Sequence, residues 1–94
     1  MEKIILLKTA RMCVPEEAHP YLAEMLELPA YYGKNLDALA DCLTELGRGT
    51  TIMLDDTPLL RLYPGGWGAK LLSVFEDAAA DGWIKLVRGG ELGE

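Results

Sequence analysis

The chain reads as an α/β domain: a small three-stranded parallel sheet packed with about three to four helices. Three short apolar runs predict the strands, Lys3–Lys8, Thr50–Leu54 and Trp83–Val87. Between them, apolar residues recur at helical spacing. Strands alternating with helices favour a parallel sheet with right-handed crossovers. The 94 residues make one domain, 1–94, with no internal repeat or linker. A chain this long buries roughly 60–65% of its unfolded surface.

Each element follows from local chemistry. KIILLK at Lys3–Lys8 is a continuous apolar run, the pattern of a strand covered on both faces. In the next segment Tyr21, Leu22, Met25 and Leu26 form one apolar helical face over Glu16–Leu26. Proline is harmless only in a first turn, where the N–H groups are unpaired anyway. The regular helix is therefore expected to begin between Glu16 and His19, with Pro20 in its first turn and Leu28-Pro29 ending it.

Asn35 is a good N-cap for a helix from Leu36 to about Leu46. Leu36, Leu39, Ala40, Leu43 and Leu46 make its buried face, and Gly47 its stop. Thr50–Leu54 is β-branched and apolar. Pro58 suits the start of a short helix through Leu62. Tyr63-Pro64-Gly65-Gly66-Trp67-Gly68 is a loop by composition. A last helix, Ala69–Ala80, turns Leu71, Leu72, Phe75, Ala78 and Ala79 inward, and Asp81-Gly82 caps it. Gly89–Glu94 reads as a frayed polar tail.

Composition narrows the function classes. Half the residues are apolar and a quarter charged, ordinary globular usage. The net charge of −6 argues against nucleic acid as a direct ligand, since phosphate binding needs clustered Lys and Arg. It favours a basic partner through long-range steering. No apolar run approaches the ~18 residues of a membrane helix, and the N-terminus lacks a signal-peptide pattern. Cys13 and Cys42 are expected as reduced thiols in a cytoplasmic protein, monomeric when free.

One segment stands out, LPAYYGKNLDALADCLTE at Leu28–Glu45. Asp37, Asp41 and Glu45 recur every four residues and would stack on one helical face. No Lys or Arg interrupts Leu36–Gly47, and like charges at this spacing repel by a few tenths of a kcal/mol per pair. Tyr31 and Tyr32 flank the stripe, and Gly33 lets the chain turn before the helix. Aromatics beside unpaired charges are the residue types of binding hot spots. At least one of the two rings is expected to be structural.

The same segment resembles the barstar family, intracellular protein inhibitors of secreted ribonucleases. The resemblance rests on Leu28-Pro29, Tyr31-Tyr32-Gly33, Asn35-Leu36-Asp37-Ala38-Leu39 and Asp41-Cys42-Leu43-Thr44. A weaker, colinear likeness continues through Val74-Phe75, Asp77 and Asp81-Gly82. It implies an inhibitor that plugs a ribonuclease active site with the second helix and the loop before it. Asp41 would stand where a substrate phosphate sits, Asp37 would pair with a basic residue at the pocket rim, and Asp77 would reinforce it. Tyr31 would pack on the nuclease, Gly33 and Asn35 would shape the loop, and Thr44 would share the surface. Three positions depart from the family's best-known member: Ala40 stands in place of a tryptophan, Glu45 in place of a glycine, and Asp77 in place of a glutamate, one methylene shorter. Ala40 also fits the apolar periodicity, which would put it on the core face.

Other chemistries are weaker. Asp55-Asp56 follows a strand end, where ligands often bind in α/β sheets, but a turn before Pro58 explains it. His19 has no metal-ligand neighbour at the right spacing, and Ser73 has no base beside it. Gly65-Gly66-Trp67-Gly68 lacks the residues of a phosphate loop. Trp67 reads as a staple under the last helix. Asp41 beside Cys42 should raise that thiol's pKa. The leading expectation is a cofactor-free inhibitor of a basic ribonuclease or ribonuclease-like toxin, with no nucleic-acid or membrane partner. An acidic module binding another protein is the alternative, and a metal-dependent enzyme using Asp37, Asp41 or Asp55 a third.

Overall fold

A computed structural model of the chain describes residues 3–30, 32–46, 49–62 and 65–90. Its order is β1 (Lys3–Leu7), a 3-10 turn (Thr9–Arg11), α1 (Pro15–Met25), α2 (Leu36–Leu43), β2 (Thr50–Leu54), α3 (Thr57–Leu60), α4 (Trp67–Ala80) and β3 (Lys85–Arg88). The three strands form one parallel sheet in the order β1-β2-β3, with Ile5 opposite Ile52 and Ile52 opposite Leu86. The α/β class and the parallel sheet expected from the sequence are both present.

Successive strands advance across the sheet in one direction, so crossovers of a single hand all fall on one face. Ile5, Leu7, Ile52 and Leu54 on that face join Leu22, Leu39, Leu43, Leu71, Leu72 and Phe75 from the helices in one core. The other face carries Ile4, Leu6 and Val87, which are 67%, 47% and 44% exposed. The expectation that β1 is covered on both faces is thus corrected. A continuous apolar run does not distinguish a doubly covered strand from one with a bare apolar face.

Element boundaries moved for identifiable reasons. Proline at the first position of α1 needs no donor, so the helix begins at Pro15 and leaves Pro20 in its interior. The carbonyl that loses its partner belongs to Glu16, an exposed residue. The helix ends at Met25, before the Leu28-Pro29 stop expected for it. Glu27 adopts φ 54°, Leu28 N–H donates to the Ala23 carbonyl (2.9 Å) and Glu27 N–H to that of Glu24 (3.3 Å). That is a Schellman closure built without glycine.

Helix α4 starts two residues early because Gly68, assigned to a loop by composition, lets α4 press on α3. A Cβ there would overlap the Leu60 carbonyl oxygen. Trp67 at the start of α4 donates its indole N–H to the Met12 carbonyl (3.0 Å), consistent with a staple role. Asp55 caps no helix; its carboxylate accepts from Thr9 N–H (2.9 Å) and Thr9 Oγ1 (3.0 Å), tying the end of β2 to the 3-10 turn. Gly89, expected in a frayed tail, is held by the Leu54 carbonyl (2.6 Å) and in turn accepts from Thr57 N–H (2.8 Å). Residues 91–94, Gly47 and Tyr63-Pro64 lie outside the described residues.

Candidate partner-binding site

Tyr32 sets the base of the site. It is buried, its N–H donates to the Pro29 carbonyl (2.9 Å), and its hydroxyl lies 2.7 Å from His19 Nδ1. The His19 ring packs edge-on against Trp67, with centroids 5.3 Å apart. Burial pushes the Tyr32 phenol up to about 12, and burial, then the Lys34 charge, lowers His19. Tyr32 is therefore the structural ring of the pair. Tyr31 lies outside the described residues.

From this anchor the chain turns outward. The left-handed residue is Lys34 (φ 56°), not Gly33 as the sequence suggested. Asn35 then caps α2: its Oδ1 accepts from Ala38 N–H (2.7 Å) and its Nδ2 donates to the Gly33 carbonyl (3.2 Å). Gly33, Lys34 and Asn35 are all exposed.

The cap sets the rotation of α2. Leu39, Cys42 and Leu43 are buried, whereas Asp37, Ala40 and Asp41 are exposed. Ala40 thus leaves the core face that its periodicity suggested, because Cys42 completes that face instead. The helix also stops short of Leu46. Thr44, Glu45 and Leu46 form a tightened end, each N–H donating to the carbonyl three residues back, and Thr44 Oγ1 donates to the Asp41 carbonyl (2.7 Å).

Helices α2 and α4 pack side by side and leave a cleft of about 310 Å3 between them. Leu36, Asp37, Ala40, Asp41 and Thr44 line one wall, and Val74, Asp77, Ala78, Asp81 and Trp83 the other. The cleft gathers Asp37, Ala40, Asp41, Thr44 and Asp77 in one place. Glu45 falls elsewhere. With Tyr32, Gly33, Ala38, Asp41 and Cys42 it lines a second hollow of about 250 Å3 on the opposite flank of α2. Among the described residues, Asp41 alone borders both. The acidic surface is thus a ridge between two hollows, and the expected single stripe of Asp37, Asp41 and Glu45 is divided by the early end of the helix.

Five lining residues were not expected in the site: Leu36, Val74, Ala78, Asp81 and Trp83. For Asp81 and Trp83 the signal was the Asp81-Gly82 pair. Gly82 adopts φ 85°, Trp83 N–H donates to the Ala78 carbonyl (3.0 Å) and Gly82 N–H to that of Ala79 (3.1 Å). This Schellman closure sets Trp83 at the end of α4 and outside β3, where it had been expected to begin the strand. Lys34, the left-handed residue of the loop, was also missed.

Both thiols are withdrawn from solvent. Cys13 and Cys42 are free and buried, and burial, then Glu45 and Asp41, raise Cys42. Among the described residues no three His, Cys, Asp or Glu side chains gather as a metal site, and no helix is long and apolar enough to cross a membrane.

The family model described as Barstar (barnase inhibitor) matches residues 3–88. The chain belongs to the barstar family. It is also similar to ribonuclease inhibitor YrdF of Bacillus subtilis (strain 168), a name given there provisionally. The two are 36% identical over 64 residues, 67% of this chain and 70% of that protein. Ribonuclease inhibition is thus the function of the family to which this barstar relative belongs, and the matched region spans every element of the fold.

Proposed function

We propose that this chain inhibits a basic ribonuclease by covering its active site with α2, the loop before it and the adjoining end of α4. The observation that carries this is the convergence of Asp37, Asp41 and Asp77 on one cleft between α2 and α4. Asp41, on the ridge between the two hollows, is the carboxylate best placed to enter a concave active site. There it stands in for a substrate phosphate, accepting hydrogen bonds from cationic groups that evolved to hold one. Asp37 meets a basic residue at the rim, and Asp77 adds negative charge from the second helix. Gly33 and Asn35 hold the loop in shape, and Tyr31 packs on the nuclease surface. Thr44 holds the end of α2, and Glu45 extends the acidic surface onto the other flank.

The mechanism requires no chemistry by this chain and no cofactor: inhibition is steric and electrostatic. Its free, buried cysteines fit a reducing compartment, so the inhibitor acts in the cytoplasm, as an immunity protein against a toxin or secreted nuclease. The test is RNA cleavage by a panel of basic microbial ribonucleases with and without the protein. Stoichiometric inhibition of at least one member is expected. No inhibition across the panel would favour an acidic module of the same fold that binds another kind of protein.

A further inference from the structure

We infer that the open edge of the sheet, strand β1, takes up an extended acidic segment of a partner protein as a fourth strand. This second interaction surface is independent of how α2 and α4 meet a nuclease. In a parallel ladder, successive residues aim their backbone groups to opposite sides of the strand. Lys3 N–H donates to the Gly49 carbonyl (2.9 Å), and the Leu7 carbonyl accepts from Asp55 N–H (3.3 Å), so Lys3, Ile5 and Leu7 face β2. Ile4 and Leu6 therefore aim their N–H and C=O groups outward, where no strand pairs with β1. Among the described residues nothing bonds to these two donors and two acceptors. Lys8 comes next in the alternation, and its N–H is taken by the Tyr21 hydroxyl (2.9 Å). The open stretch is thus short and bounded.

Its side chains suit an added strand. Ile4 and Leu6 are exposed on the bare face of the sheet, and Leu6, Met53 and Val87 form one row across the three strands. A fourth strand would lengthen that apolar row. In such strand addition the main-chain bonds supply affinity, and alternate side chains supply specificity. Charge decides the occupant. Lys3 and Lys8 bracket the open stretch, and the Arg11 guanidinium lies 5.1 Å from the centre of the Tyr21 ring that closes it. Three of the chain's nine cations thus gather at one edge of a molecule with net charge −6. Among the described residues none of the three is in an ion pair. Lysines on a sheet edge ordinarily guard it against pairing. Here they act against a second copy, because joining two β1 edges brings the same cations together. An acidic segment meets them favourably.

The test uses the full chain, 15N-labelled, and two blocked peptides. One is acetyl-Glu-Thr-Val-Thr-Val-Thr-Glu-amide, and the other carries Lys in place of both Glu. Saturable shifts and slowed hydrogen exchange of the Ile4 and Leu6 amides are expected with the acidic peptide. Its affinity at low salt should exceed that of the lysine peptide at least about fivefold, since each exposed charge pair alters binding a few-fold. Ile4→Pro removes one outward N–H and leaves the ladder to β2 intact, as proline is tolerated on an edge strand. It should abolish binding. The double variant Lys3→Glu with Lys8→Glu should reverse the preference between the peptides, and this readout holds even where Ile4→Pro fails to fold. Equal affinity for the two peptides, binding of neither, or acidic-peptide binding that survives Ile4→Pro would overturn the inference. So would shifts at Ile4 and Leu6 that grow with protein concentration alone, which would assign the edge to a second copy.

Discussion

Glu27 occupies a backbone region that side chains other than glycine enter at a cost. Its φ of 54° closes α1 ahead of the segment that leads to α2. Left-handed geometry costs a residue with a Cβ roughly 1–2 kcal/mol, and glycine returns part of that through its freer unfolded state. Glu27→Gly is therefore expected to raise stability by about 0.5–1 kcal/mol in urea unfolding. A fall in stability would show that the Glu27 side chain contributes more than its backbone geometry costs. Asp55 is the opposite kind of residue, exposed yet structurally engaged. The Thr9 backbone N–H, foremost, holds its carboxyl below the usual range. Its stabilising effect is present above the unfolded value and is lost as pH falls through the folded one. His19, lowered mainly by burial, has the same sign over a higher window: neutral in the fold, it loses its contribution as pH falls from 6.5 toward its folded value. Acid unfolding should accordingly show two successive losses, and Asp55→Asn should diminish the more acidic one. The same variant, which keeps an acceptor for Thr9 but loses its charge, should cost about 1 kcal/mol at neutral pH, measured by denaturant titration.

Helix α4 shows how an element's limits depend on its neighbour. Gly68 looked like loop punctuation because glycine is rare inside helices. In the fold it is buried where α4 meets the Leu60 carbonyl, and any Cβ there overlaps backbone. Gly68→Ala should destabilise by about 1–3 kcal/mol even though alanine is the better helix former. A stable Gly68→Ala protein would mean that α3 can withdraw freely. Helix α2 carries the same lesson for the site. Asn35, Leu36 and the apolar spacing made its start legible, because a cap and a periodicity are local properties. Its end was not legible, since no proline or charge forbids continuation through Leu46. The early stop turns Glu45 away from Asp37 and separates the two hollows.

Across the whole molecule, the net charge bears on how the proposed partner is met. The net charge of −6 and the exposed carboxylates of α2 and α4 should speed encounter with a basic ribonuclease. Association is expected to slow steeply with added salt while dissociation changes little, which stopped-flow binding would resolve. Asp41→Ala should weaken the complex most, by about 2–5 kcal/mol, and Asp37→Ala less. That range draws partly on barnase–barstar itself, so it is a family value rather than one particular to this chain. Equal affinity of wild type and Asp41→Ala would remove the phosphate-mimic role.

The number and kind of elements, the N-cap at Asn35, the acidic segment and the family were written in local patterns that survive without a fold. Periodicity, capping and charge spacing act over a few residues, and there the sequence alone suffices. The bare sheet face, the exposure of Ala40, the left-handed Lys34, and the cleft joining Asp37 and Asp41 to Asp77, Asp81 and Trp83 required the packed structure. Each depends on which surfaces meet across long stretches of chain, and burial is a property of pairs of elements rather than of either one.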